Sequence, residues 1–106
     1  MKKYLANAFS LQMLEALPAV IKVREAKEEE IFSVAADGSK NLVNGIVSVI
    51  GHEDTARVLG VPFNRISVKV KDGDIVYVAQ LQGGRLPEGA TTLPEGFKFK
   101  YIKVTL

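Results

Sequence analysis

The stretch IVSVIGHEDTARVLG, residues 46–60, joins two segments of different periodicity. Its first five residues are mostly apolar and β-branched, which is typical of a buried strand. After Gly51 and His52, the segment EDTARVLG predicts a short helix that ends at Gly60, since glycine readily adopts the left-handed conformation found after helices. A buried strand that leads directly into a helix indicates a sheet with helices packed on it.

Further strands and helices are predicted on both sides of this unit. Before it, the pattern predicts a strand at KYLANAF, a helix at LQMLEALP capped by Ser10, a strand at AVIKV and a helix at KEEEIFSVAAD. After it, RISVKV and IVYVAQL flank KDGD, which predicts a hairpin, and FKFKYIKVTL predicts a last strand. We therefore expect one domain over residues 1–106, of α/β (α+β) class, with a mixed sheet of about five strands flanked by helices.

Composition excludes several classes of protein. The chain has 106 residues, of which 47% are hydrophobic, and it contains no cysteine and one histidine. Disulfide frameworks and thiolate metal sites are therefore excluded, which leaves only carboxylate sites for a hard cation. We expect neither a metal nor another cofactor. No apolar run approaches membrane-spanning length and no signal peptide is visible, so a cytoplasmic protein is expected. The net charge of +2 is too small for a protein that binds long nucleic acids, but it suits a local anion pocket.

His52 is the only histidine, and it follows a glycine at the end of a predicted strand. A lone histidine more often caps a helix or fills the core than acts as a catalyst. Two features favour catalysis: ligands gather at the carboxyl ends of strands in open sheets, and free N–H groups at a helix start attract phosphate. His52 is therefore a candidate general acid, with helix capping as the alternative.

The loop QGGRLPEGATTLPEG is unusually long for so small a domain, and such loops are usually functional or disordered. It carries Arg85, whose guanidinium suits phosphate, and Glu88, whose carboxylate suits a ribose hydroxyl. If the loop closes over a ligand as a lid, both side chains would reach that ligand. The alternative is that both are solvated charges on the loop.

Three further residues are candidate substrate contacts. Asn7 and Ser10, in the motif NAFS, are either helix caps or contacts to a ligand phosphate. Arg65, in PFNRISVKV, is expected to begin a strand and is either a surface cation or a second phosphate contact.

The motifs NAFS, GHEDTA, NR with KDGD, and RLPEG occur in this order over nearly the whole chain. Together they resemble the viral anti-CRISPR ring nucleases and their bacterial and phage homologues. The resemblance implies a homodimer with a symmetric pocket at its interface. It also implies metal-independent cleavage of cyclic tetra-adenylate, the second messenger of type III CRISPR defence, to linear di-adenylate. The family's catalytic positions fall on His52, Arg85 and Glu88, and its substrate contacts on Ser10, Arg65 and either Gln80 or Gln82.

The implied reaction is attack of a ribose 2′-hydroxyl on its own adjacent phosphate. His52 would protonate the leaving 5′-oxygen, Arg85 or Arg65 would stabilise charge, and Glu88 would orient the hydroxyl. The alternative is a protein that sequesters a cyclic nucleotide without cleaving it, or a dimeric interaction module. The presence of both His52 and Glu88 favours cleavage, because sequestration requires neither.

Overall fold

A computed structural model describes residues 3–31, 46–61, 63–83 and 95–106, which contain one five-stranded sheet. Its strands are β1 (Lys3–Ala6), β2 (Lys22–Glu25), β3 (Ile46–Val49), β4 (Ile75–Gln82) and β5 (Lys98–Thr105). The strand order is β2-β5-β4-β1-β3. β1 is parallel to β3 and β4, whereas β5 is antiparallel to β4 and β2. The predicted mixed sheet is therefore confirmed.

The helix predicted after residue 52 is also confirmed. Helix α1 (Glu53–Leu59) begins at the N-cap His52 and ends at Gly60, whose φ of 71° is left-handed. Residues 28–31 are helical, as predicted for KEEEIFSVAAD; Lys27 precedes this helix, and residues 32–37 lie outside the described ranges. No helix in the described part of the chain is long and apolar enough to cross a membrane.

Each face of the sheet carries its own apolar cluster, whereas β2 at one edge is exposed. Because side chains alternate along a strand, the neighbours Tyr4 and Leu5 point to opposite faces. On one face, Leu5 packs with Ile31 and with Ala56 of α1. The other face is covered by irregular segments, and its cluster contains Tyr4, Ala6, Val49, Val76, Val78 and Val104 with Phe9, Met13, Leu14, Val68 and Val70.

The prediction of a helix at LQMLEALP is wrong. Only a 3₁₀ turn, Leu11–Met13, is formed there. The Glu15 N–H donates to the Val70 carbonyl at 2.9 Å, and the Val70 N–H donates to the Met13 carbonyl at 2.7 Å. These long-range bonds use backbone groups that a continuing helix would need, so tertiary pairing overrides the local helix preference.

The hairpin predicted around KDGD is only partly right. Residues 72–73 form the expected turn, and the Asp74 carboxylate accepts a bond from the Lys71 N–H at 3.1 Å. However, RISVKV forms no strand, so Arg65 does not begin one, and its last residue, Val70, bridges Leu14 instead. A strand has two edges, and β1 and β5 occupy both edges of β4. The second predicted strand, AVIKV, is displaced toward the C-terminus as β2.

Candidate functional site

Asn7 and the Gly51–His52 loop lie at one edge of the sheet. Because β1 and β3 are parallel, their carboxyl ends meet there, and Asn7 follows β1 while Gly51 follows β3. The Asn7 Oδ1 accepts a hydrogen bond from the Gly51 N–H at 3.0 Å. Asn7 therefore anchors the loop that carries His52. This is a third role beside the capping and substrate contacts expected from the sequence.

His52 is held by the third residue of the helix that it caps. Its Nδ1 lies 2.8 Å from the Thr55 Oγ1 and 3.4 Å from the Thr55 backbone nitrogen. The ring is half-buried, and its Nε2 has no hydrogen-bond partner among the described residues. Capping therefore occupies one ring nitrogen and leaves the other available to a ligand. The two expectations for His52 are compatible.

Arg65 lies against the same loop. The Asn64 N–H donates to the Ile50 carbonyl at 2.8 Å, and the Asn64 Nδ2 donates to the Ser48 carbonyl at 2.7 Å. These bonds hold the neighbouring Arg65 against Gly51. If Gly51 carried a Cβ atom, that atom would lie 3.1 Å from the Arg65 Cγ. Arg65 is exposed and has no polar partner in the described ranges, so its guanidinium is available to an anion.

Sequence reasoning missed the two residues that hold this arrangement. Thr55 occupies the N3 position of α1, where side chains commonly exchange hydrogen bonds with the N-cap residue. That spacing was a usable signal for Thr55. Asn64 carries no comparable signal, because both of its backbone acceptors lie 14 and 16 positions earlier in the chain.

Ser10 lines an open cavity of ≈300 Å³ at the ends of β1 and β3, together with Ala6, Val49, Ile66 and Lys69. Its Oγ accepts a bond from the Gln12 N–H at 3.2 Å, so the expected capping role is present. No hydrogen bond joins Ser10 to His52 within the residues described. The cavity places a hydroxyl and an ammonium at the same end of the sheet as the histidine loop.

Gln80 and Gln82 lie where β4 extends beyond the end of β1. They pair in register with Lys100 and Lys98 of β5, respectively. Gln80 is exposed, and Gln82 lines a second cavity, of ≈410 Å³, with both lysines. Both glutamines therefore remain candidates for substrate contact.

The second cavity carries the carboxylate of Glu25 and two lysines beside a neutral phenol. It includes Tyr101, and burial raises the pKa of its phenol, with a smaller contribution from the nearby charge of Glu28. The phenol therefore stays neutral at physiological pH and is a poor base. Lys98 and Lys100 provide positive charge on the same wall.

Arg85 and Glu88 lie outside the described residues, so their predicted roles stay predictions. The chain positions on either side of their segment lie together, since a Cβ at Gly83 would be 2.9 Å from the Gly96 carbonyl oxygen.

Of the eight candidate residues, the structure brings Asn7, His52 and Arg65 together. In the described ranges, no three His, Cys, Asp or Glu side chains are grouped as a metal ligand set.

Replacement of Asn7 by alanine should lower the free energy of unfolding by about 1–3 kcal/mol, because it leaves the part-buried Gly51 N–H unsatisfied. Asn7→Asp is the matched control, since a carboxylate oxygen can still accept that bond. Denaturant unfolding of both variants checks this. An alanine variant as stable as the wild type would show that the contact does not hold the loop.

Comparison with known proteins agrees with this architecture. The sequence profile of the STIV B116-like family matches residues 3–104. The structure is similar to B116 of Sulfolobus turreted icosahedral virus, with a TM-score of 0.78 and 26% sequence identity over 100% of both chains. No curated protein matches the chain. Since the profile spans nearly all of the sequence, the chain belongs to the STIV B116-like family.

Proposed function

We propose that this protein is a metal-independent ring nuclease that cleaves cyclic tetra-adenylate to linear di-adenylate. The observation that carries this proposal is the anchored imidazole of His52, with Nε2 available and the guanidinium-bearing Arg65 packed beside its loop. A proton donor next to a cation is what cleavage of a phosphodiester without an external nucleophile requires. The viral source of the similar structure fits this activity, since destroying a defence messenger benefits a virus.

In the proposed reaction, a ribose 2′-oxygen attacks the adjacent phosphorus while the bond from phosphorus to the 5′-oxygen breaks. His52 Nε2 gives its proton to that leaving oxygen, and the 2′-hydroxyl proton leaves to solvent. The products carry a 2′,3′-cyclic phosphate and a 5′-hydroxyl, and solvent then restores the imidazolium. Arg65 and Arg85 would neutralise the phosphate, Glu88 would orient the 2′-hydroxyl, and Ser10, Asn7 and the two glutamines would hold the ring.

The decisive experiment is incubation with cyclic tetra-adenylate in excess chelator, followed by denaturation and product analysis. We expect linear di-adenylate with and without chelator, because the chain offers no cysteine and a single histidine for a transition metal. Recovery of intact ring would rule out cleavage. Activity lost in chelator and restored by magnesium or manganese would contradict the general-acid mechanism.

We also propose that the active form is a homodimer. A single subunit offers few cations for a ring with four phosphates, and a second copy would double them. Phe63 and Ile66 support an interface close to the site, because these large apolar side chains flank residues 64–65 and are 48% and 51% exposed.

Light scattering at micromolar concentration should therefore give twice the mass of one chain. The variant Ile66→Glu should shift the protein toward monomers and lower the cleavage rate per chain, since a charge is costly in an apolar interface. A stable monomer that cleaves at the full rate would contradict the shared pocket.

A further inference from the structure

We propose that Thr55 is a positioning residue for His52: its hydroxyl holds Nδ1 so that Nε2 faces the ligand in every protonation state. This inference rests on the proposed function only for its kinetic consequence. The contact itself is a property of the fold. Thr55 contacts His52 and is 1% exposed, so we expect it to act through the imidazole.

The geometry favours the hydroxyl over the backbone as the partner of the imidazole. The Nδ1 to Oγ1 separation is 2.8 Å, whereas the Nδ1 to backbone nitrogen separation is 3.4 Å. The shorter distance is that of a strong hydrogen bond, and the longer one is that of a weak capping bond. Thr55 is 1% exposed, so water cannot readily replace its hydroxyl.

The chemistry of a general acid explains why a hydroxyl is needed at this position. The imidazolium carries a proton on Nδ1 as well as on Nε2, and the Nδ1 proton requires an acceptor because the ring is half-buried. A backbone N–H can only donate, so it cannot serve the imidazolium. A threonine hydroxyl both donates and accepts, so the same contact persists when the proton on Nδ1 is present or absent.

Four charged groups lie on the elements around the imidazole. Glu53 and Asp54 stand in the first turn of α1, Arg57 pairs with Asp54 at 3.1 Å, and Arg65 packs against Gly51. A substitution of Thr55 leaves all four in the sequence. A change in the cleavage rate or in the Nδ1 signal of His52 would therefore result from the loss of the hydroxyl.

Two matched variants separate positioning from packing. Thr55→Val keeps the shape and removes the hydroxyl, whereas Thr55→Ser keeps the hydroxyl and removes a buried methyl group. If Thr55 only fills space, the valine variant should be at least as active as the serine variant. If its hydroxyl positions His52, Thr55→Val should slow single-turnover cleavage by roughly 10–100-fold, the loss expected for a hydrogen bond to a charged group. Thr55→Ser should keep most of the rate.

A second readout does not depend on activity. Since His52 is the only histidine, ring ¹⁵N spectra of the labelled protein contain signals from one imidazole. At acidic pH, the proton on Nδ1 should be protected from exchange in wild type and Thr55→Ser, and this protection should be lost in Thr55→Val. Near-ultraviolet circular dichroism checks that each variant is folded.

Equal rates and equal Nδ1 signals in wild type and Thr55→Val would overturn the proposal. The proposal would also be overturned if Thr55→Ser cleaved as slowly as Thr55→Val and also lost the protection of the Nδ1 proton. If the wild type cleaves no ring, the nuclease function fails. The Nδ1 signal then decides the positioning role alone, with protection in Thr55→Ser but not in Thr55→Val supporting it.

Discussion

Replacement of His52 by alanine should lower the single-turnover rate of ring cleavage by about 10²–10⁴-fold, the usual contribution of a general acid. Ring affinity should change much less, because the expected phosphate contacts are on other residues. In the wild type, the rate should fall as pH rises, since deprotonation removes the imidazolium that supplies the proton. The residual rate of the variant should lack this pH dependence.

The structure shows that alanine alone is an ambiguous test, because His52 also caps α1. Loss of a cap costs about 0.5–2 kcal/mol of stability, so an alanine variant could lose activity by unfolding. His52→Asn is the matched control, since asparagine is a good N-cap residue and supplies no acidic proton. We expect the asparagine variant to melt close to wild type and to be as slow as the alanine variant. A stable asparagine variant that cleaves at the normal rate would remove His52 from the mechanism.

Leu5→Ala should have the largest effect on stability, about 2–5 kcal/mol. Leu5 is 1% exposed on β1, which lies between β3 and β4, and it packs with α1 and with Ile31. Its removal leaves a cavity in the centre of one core cluster. A loss of this size is a substantial part of the total stability expected of a domain, which is about 5–15 kcal/mol. Denaturant titration measures this loss of stability from the shift in the unfolding midpoint.

Leu5→Met serves as the control, because a swap that conserves volume usually costs less than about 1.5 kcal/mol. Leu5 does not point into the candidate site, so the alanine variant should cleave at a normal rate per folded molecule at low temperature. An alanine variant as stable as the methionine variant would contradict the described core. The contrast with His52→Asn separates residues that hold the fold from residues that carry the chemistry.

The elements that sequence reasoning identified correctly have strong local signals. The β3-to-α1 unit was predicted from its apolar run and from Gly60, and β4 was predicted from its alternating pattern. The turn at KDGD was also recognised, because aspartate and glycine there favour a reversal of the chain. The position of His52 after β3 followed from the same unit. In each case the signal lies within about ten residues.

The wrong elements share a different cause. The apolar residues of LQMLEALP and RISVKV fit a helix and a strand, respectively, but the backbones of these segments bond to each other around Val70. Whether RISVKV could pair with β4 depended on β1 and β5, which already occupy both edges of that strand. Competition for strand edges is a property of the whole sheet, and no local pattern encodes it.

The sequence by itself determined the composition of the site: one imidazole at a strand-to-helix junction, with cationic and amide residues in motifs elsewhere along the chain. Only the tertiary structure decided that Asn7 holds Gly51 from 44 positions away and that Asn64 fixes Arg65 beside the histidine loop. These contacts form because parallel pairing brings the carboxyl ends of β1 and β3 together, where unpaired backbone N–H and C=O groups require partners.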